Sequence, residues 1–130
     1  MFTLQGIDHV ALTVGDLEAS ITWYEEVLGL EREHEETWGD TPAVLGVAET
    51  SVALFQADHK NGKPSPSADQ IGYRHLAFRT DRPNFEQAQV ALREQNIAFT
   101  FEDHDIAHSI YFNDPDGHML QIVVPDEGTD

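Results

Sequence analysis

Two short stretches of the chain alternate apolar and polar positions in the same way, and both carry a histidine at the same place. Gly6-Ile7-Asp8-His9-Val10-Ala11-Leu12 and Gly72-Tyr73-Arg74-His75-Leu76-Ala77-Phe78 each run on as histidine, bulky apolar, alanine, bulky apolar. Strand side chains alternate between faces, so His9 and Ala11 share one face and Val10 and Leu12 the other; His75 and Ala77 repeat this against Leu76 and Phe78. The pattern predicts a strand over residues 4–14 and another over 71–80.

After each strand the period changes. Gly15-Asp16 breaks the alternation, and Leu17, Ile21, Tyr24, Val27 and Leu28 then recur at three- and four-residue steps. That spacing predicts an amphipathic helix capped by Asp16 and ended by Gly29. EREHEETWGD, TPAVLGVAET and SVALFQAD follow as three short segments punctuated by Gly, Pro and Asp, the last two reading as strands of a meander. In the second half Asp81 or Asn84 caps a helix carrying Phe85, Ala88, Ala91 and Leu92 that stops before Asn96. IAFTFED, HSIYFND and GHMLQIVV then read as strands, with DPDG a tight turn between the last two. Each half is β-α-β-β-β, and His75 lies 66 residues after His9 (75 − 9). A unit this short does not close a core alone, so two copies are expected to pack together, within one chain or across a homodimer. The expected organisation is a single α+β domain over 1–130, with a first module at 1–57, a linker loop rich in Pro, Gly and Ser at 58–70, a second module at 71–126 and a tail at 127–130.

Composition narrows the chemistry. At 130 residues and 40% hydrophobic the chain can bury one core. No apolar run approaches the roughly 18 residues of a membrane helix, and the start MFTLQGIDHV lacks the features of a signal peptide, so a cytoplasmic protein is expected. There is no cysteine, which excludes thiol catalysis and leaves His, carboxylate, amide or water to hold any metal. With 24 acidic and 7 basic residues the formal net charge is −17, a surface that repels nucleic acid and anionic membranes. Such self-repulsion is relieved where salt at ~1 M shortens the Debye length to ~3 Å, so the composition reads as halophilic, with stability rising with KCl. His34 and His59 fall in acidic or loop sequence and read as solvated, while Trp23 and Trp38 read as packing residues.

Two inward histidines at repeat-equivalent positions suggest one shared metal ion. Together with the ending Ser109-Ile110-Tyr111-Phe112-Asn113-Asp114-Pro115-Asp116-Gly117-His118-Met119-Leu120-Gln121-Ile122, the two histidine strands resemble those of the vicinal oxygen chelate superfamily. That superfamily includes glyoxalase I, extradiol dioxygenases, fosfomycin-resistance transferases and bleomycin-binding proteins. The resemblance implies two βαβββ modules whose mixed sheets form a cup, with a divalent metal (Fe, Mn, Ni or Zn) on the inner surface. It carries the ligand positions onto His9, His75 and Gln121, and His118 then reads as a rim or turn residue.

Gln121 is a departure, because the family usually places Glu there. An amide oxygen can ligate a hard cation but brings no charge and cannot act as a general base. By residue count the equivalent place in the first module is Ala53 or Leu54, and neither can bind metal. With no carboxylate at either place, methylglyoxal isomerisation is disfavoured. The extradiol pattern carries a substrate-directed tyrosine onto Tyr111, with Ser109 on the same face, and EDHDIAHS offers His104 and His108 for an acid-base histidine. Arg79 shares the histidine face and can meet a substrate carboxylate or pair with Asp81. AFTFEDHDIAH holds no cation for a phosphonate, which argues against a fosfomycin transferase. The expected function is metal-dependent chelation of a small substrate through neighbouring oxygens, as in glyoxalase-like lyases or ring-cleaving dioxygenases. The alternatives are a metal-free protein that binds a small molecule in the cup and, behind it, an acidic interaction domain.

Overall fold

A computed structural model describes residues 1–58 and 72–126. The chain divides into two compact units, Met1–Lys63 and Pro64–Asp130. The expected linker, from residue 59 on, the tail at 127–130 and Ile71 lie outside the described residues.

The first unit holds β1 (His9–Val14), α1 (Leu17–Leu28), β2 (Glu31–Glu33), a short helix α2 (Glu35–Trp38), β3 (Ala43–Val47) and β4 (Thr50–Gln56). The second holds β5 (Leu76–Arg79), α3 (Arg82–Glu94), β6 (Thr100–Asp103), β7 (Ala107–Asn113) and β8 (Met119–Pro125). Their sheets have the same order, β1-β4-β3-β2 and β5-β8-β7-β6. In each, the first and last strands of the unit pair in parallel while the remaining pairs are antiparallel. The first strand of each unit is shorter than its sequence pattern: residues 1–8 and 72–75 extend the alternation but join no ladder. The helix α2 was not expected; it is a single turn of acidic sequence ending at Trp38.

The caps form where the sequence puts them. Asp16 Oδ1 accepts from the Ala19 amide at 3.2 Å and Asp81 Oδ1 from the Asn84 amide at 3.0 Å, each contributing about 1 kcal/mol to its helix. Gly29 ends α1 at φ 70°, a left-handed conformation that costs glycine nothing. Gln56, at the end of β4, fastens the turn between β1 and α1 by accepting from the Leu17 amide (2.9 Å) and donating to the Gly15 carbonyl (2.8 Å).

Each helix covers one face of its sheet. In the first unit Ile21 and Tyr24 of α1 are buried with Val14, Leu45, Val52 and Leu54. In the second, Phe85 of α3 is fully buried with Ile110, Phe112, Leu120 and Val124. The opposite face carries His9, Ala11 and Ala53 in the first unit and Gln121, Tyr111 and Ser109 in the second.

Candidate metal and substrate site

Register decides which side chains meet. Residues paired directly across a sheet share a face, so Ala77, Gln121, Tyr111 and Thr100 form one row across β5-β8-β7-β6. Arg79, Val123, Ser109 and Glu102 form the next row on that face. Most of it is exposed, yet Ser109 (0% exposed) and Gln121 (8%) are buried at its centre. The Gln121 amide nitrogen donates to Ser109 Oγ at 2.6 Å, which leaves the amide oxygen as the atom available to a cation. This suits a hard divalent ion, for which a fixed neutral oxygen is an acceptable donor.

The other expected groups of the second unit gather beside it. His75, directly before β5, sets its ring edge to face with Tyr111, centroids 5.6 Å apart. The Tyr111 hydroxyl lies 3.1 Å from His104 Nε2, and Glu102 lies 3.6 Å from the same nitrogen. His75, Tyr111, His104, Ser109 and Gln121 therefore form one neighbourhood, with Arg79 exposed in the Ser109 row.

His108 does not join it. Its partners across the sheet are Asp103 and Val124, on the face covered by α3. There its Nδ1 sits 3.1 Å from an Arg82 guanidinium nitrogen and its Nε2 3.5 Å from Asp103, with the Phe101 ring against it. The physical reason is parity: one residue from Ser109, its side chain points through the other side of the strand.

Within the first unit by itself, His9 Nδ1 lies 2.8 Å from Asp8 Oδ2. In the neutral imidazole whose Nδ1–H donates to this carboxylate, Nε2 keeps its lone pair, the arrangement usual for a metal-ligating imidazole. Ala11 pairs with Ala53 as Ala77 pairs with Gln121, so the repeat-equivalent of Gln121 is Ala53 and not Leu54. A cavity of about 300 Å³ opens on this face, reached by His9, Ser51, Ala53 and Val44. Trp38 also lines it and is 49% exposed, so it does not serve packing alone; the His34 ring meets it tilted at 50°, centroids 4.8 Å apart.

A second group of metal-capable side chains, Asp114, Asp116 and His118, has ligand atoms within 4.8 Å of one another. Asp114 Oδ1 there accepts the backbone amides of Asp116 (3.0 Å) and His118 (2.8 Å), which braces the turn expected of DPDG. From its sequence this run is predicted only as a turn; its Asp-x-Asp-x-His spacing is the signal that points to the cluster.

The model of the Glyoxalase/Bleomycin resistance protein/Dioxygenase superfamily matches residues 6–122. The chain belongs to this superfamily. Its two βαβββ units with mixed four-stranded sheets are of the superfamily's fold. It is similar to the glutathione transferase FosA of Serratia marcescens, 31% identical over 121 residues covering 93% of this chain and 82% of that protein. It is also similar to the metallothiol transferase FosB of Staphylococcus epidermidis, 32% identical over 124 residues covering 92% and 81%. Among solved structures, a glyoxalase/dioxygenase from Nostoc punctiforme superposes with a TM-score of 0.79 at 28% identity, covering 95% of this chain and 92% of that one. No helix among the described residues is long and apolar enough to cross a membrane.

Proposed function

We propose that the chain is a divalent-metal-dependent enzyme of the superfamily, in which His9, His75 and Gln121 hold the ion and a small substrate reaches it through two neighbouring oxygens. The observation that carries this reading is the Gln121 amide, buried on an otherwise open face and turned by Ser109 so that its oxygen is left for a cation. The Asp8–His9 pair supports it from the other unit. When bound, the ion supplies Lewis-acid stabilisation of negative charge developing on the substrate's oxygens.

The chain's own residues do the rest. Tyr111 and His104 share a hydrogen bond, so a proton can be held on the phenol oxygen or on Nε2 and passed to or taken from substrate. Ser109 keeps Gln121 in place. Neither position 121 nor position 53 carries a carboxylate, so a proton shuttle by a metal-bound carboxylate is absent and the Tyr111–His104 pair is the base of this reading. That favours ring-cleaving or lyase chemistry over methylglyoxal isomerisation.

The names of the two transferases bring thiol transfer into consideration. Within the four strands of the second sheet Arg79 is the only arginine or lysine, which gives an anionic substrate little to bind on that face and keeps this reading behind the first. The neutral ligand set also keeps open a metal-free binding protein. A cytoplasmic homodimer working at high salt is part of the proposal, and the charge of −17 supports its high-salt part.

Elemental analysis after purification with Fe, Mn, Ni and Zn, on the wild type and on His9→Ala and His75→Ala, tests the ligand set. One ion per site lost in both variants is expected; sub-stoichiometric metal unaffected by either would favour the binding protein. Oxygen uptake with catechols against loss of hemithioacetal absorbance then separates the reactions.

A further inference from the structure

The cavity of the first unit is built for one kind of charge. Its walls are apolar and aromatic: Val44 and Ala53 are buried in its floor, while Trp38 and Phe55, 49% and 43% exposed, offer ring surface to whatever enters. Its polar lining is Asp8, His9, His34, Glu49 and Ser51, and among the described residues no lysine or arginine lines it. A third carboxylate stands behind, since Ser51 in the lining donates to Glu33 Oε1 at 2.7 Å. Glu33 reaches that position because Gly46 has no side chain: a Cβ there would stand 2.5 Å from Glu33 Oε1. The glycine thus makes room for negative charge next to the cavity. An aromatic surface attracts cations through its quadrupole, and carboxylates in a partly enclosed site add to that attraction.

We propose that the ligand of this cavity is an organic cation, a small molecule with an apolar or aromatic body against Trp38 and Phe55 and an amine or quaternary nitrogen matched by Glu49 and Asp8. This rests on the chelation reading above for its placement next to His9, and it names the substrate class: an amine-bearing chelator, in contrast to a phosphonate or an acidic thiol.

The test is calorimetric titration of the full chain with benzyltrimethylammonium, benzyl alcohol and phenylacetate, in 1 M KCl to screen the acidic surface, after EDTA treatment and again after loading with Mn. The cation is expected to bind about tenfold more tightly than either comparison compound. Trp38→Ala and Glu49→Gln are each expected to weaken it several-fold while leaving far-UV circular dichroism unchanged. Phenylacetate binding as tightly as the cation would overturn the proposal, and so would cation binding unchanged in both variants. Because the first titration is made without metal, failure of the metal reading shows separately, in the elemental analysis.

Discussion

The side chains of Ser109 and Gln121 hydrogen-bond to each other, amide nitrogen to hydroxyl oxygen at 2.6 Å, at the buried centre of a sheet face whose borders are open. Ser109→Ala takes the hydroxyl away and leaves a buried amide N–H without it. The expected cost is about 1–3 kcal/mol, read as a fall of several degrees in the melting temperature of the metal-free protein, together with weaker divalent-ion binding. A melting temperature equal to that of the wild type would mean that this bond does not hold the amide.

Gln121→Glu exchanges the neutral oxygen donor for a charged one. In the absence of metal the substitution places a carboxylate at a buried position, so the melting temperature is expected to fall. Divalent ions are expected to bind about tenfold more tightly or better and to restore it, because the new charge attracts them at short range. Melting curves with and without Mn check both signs in one experiment.

Gly46→Ala sets a methyl group against the Glu33 carboxylate and drives it away from Ser51. Since the clash is with the end of a flexible side chain, the expected loss is small, about 1 kcal/mol or less. Its signature is coupling: in a double-mutant cycle Gly46→Ala and Glu33→Gln should cost together less than the sum of their separate costs. Full additivity would show that the two residues act independently.

The charge of −17 leads to a prediction for the whole chain. Raising KCl from low concentration to about 1 M is expected to raise the melting temperature by screening self-repulsion. A flat or falling curve across that range would remove high-salt adaptation as the reason for the composition.

What could be read from the sequence follows the range of the interactions involved. The first helix was legible down to its caps, because Asp16 and Gly29 act on backbone groups within a few residues of themselves, while for the second the sequence left Asp81 and Asn84 open and the structure selects Asp81. The pairing of β1 with β4 depends on contacts across 42 residues (51 − 9), and counting left Ala53 and Leu54 open where the ladder selects Ala53. The early strand residues show the same limit: alternation over 4–8 and 72–75 is a local pattern, but a ladder needs a partner, and those segments join none. His108 is different, since its parity with Ile110 and Phe112, against Ser109 and Tyr111, was readable and places it on the helix side. Trp38 was hidden because α2 is too short and too acidic to register as a helix, so its position on the rim of a cavity left no trace in the periodicity.

The parallel pairing of the first and last strands in each unit also sets an order of assembly. The antiparallel β3–β4 and β7–β8 pairs join neighbouring segments and can form early, whereas β1 and β5 must wait for their whole unit to be in place before they find a partner. Each of these late strands lies at a sheet edge and is held from one side only. The backbone next to His9 and His75 is therefore the part of each unit expected to exchange its amide hydrogens first, and the histidines come to their final positions last in folding.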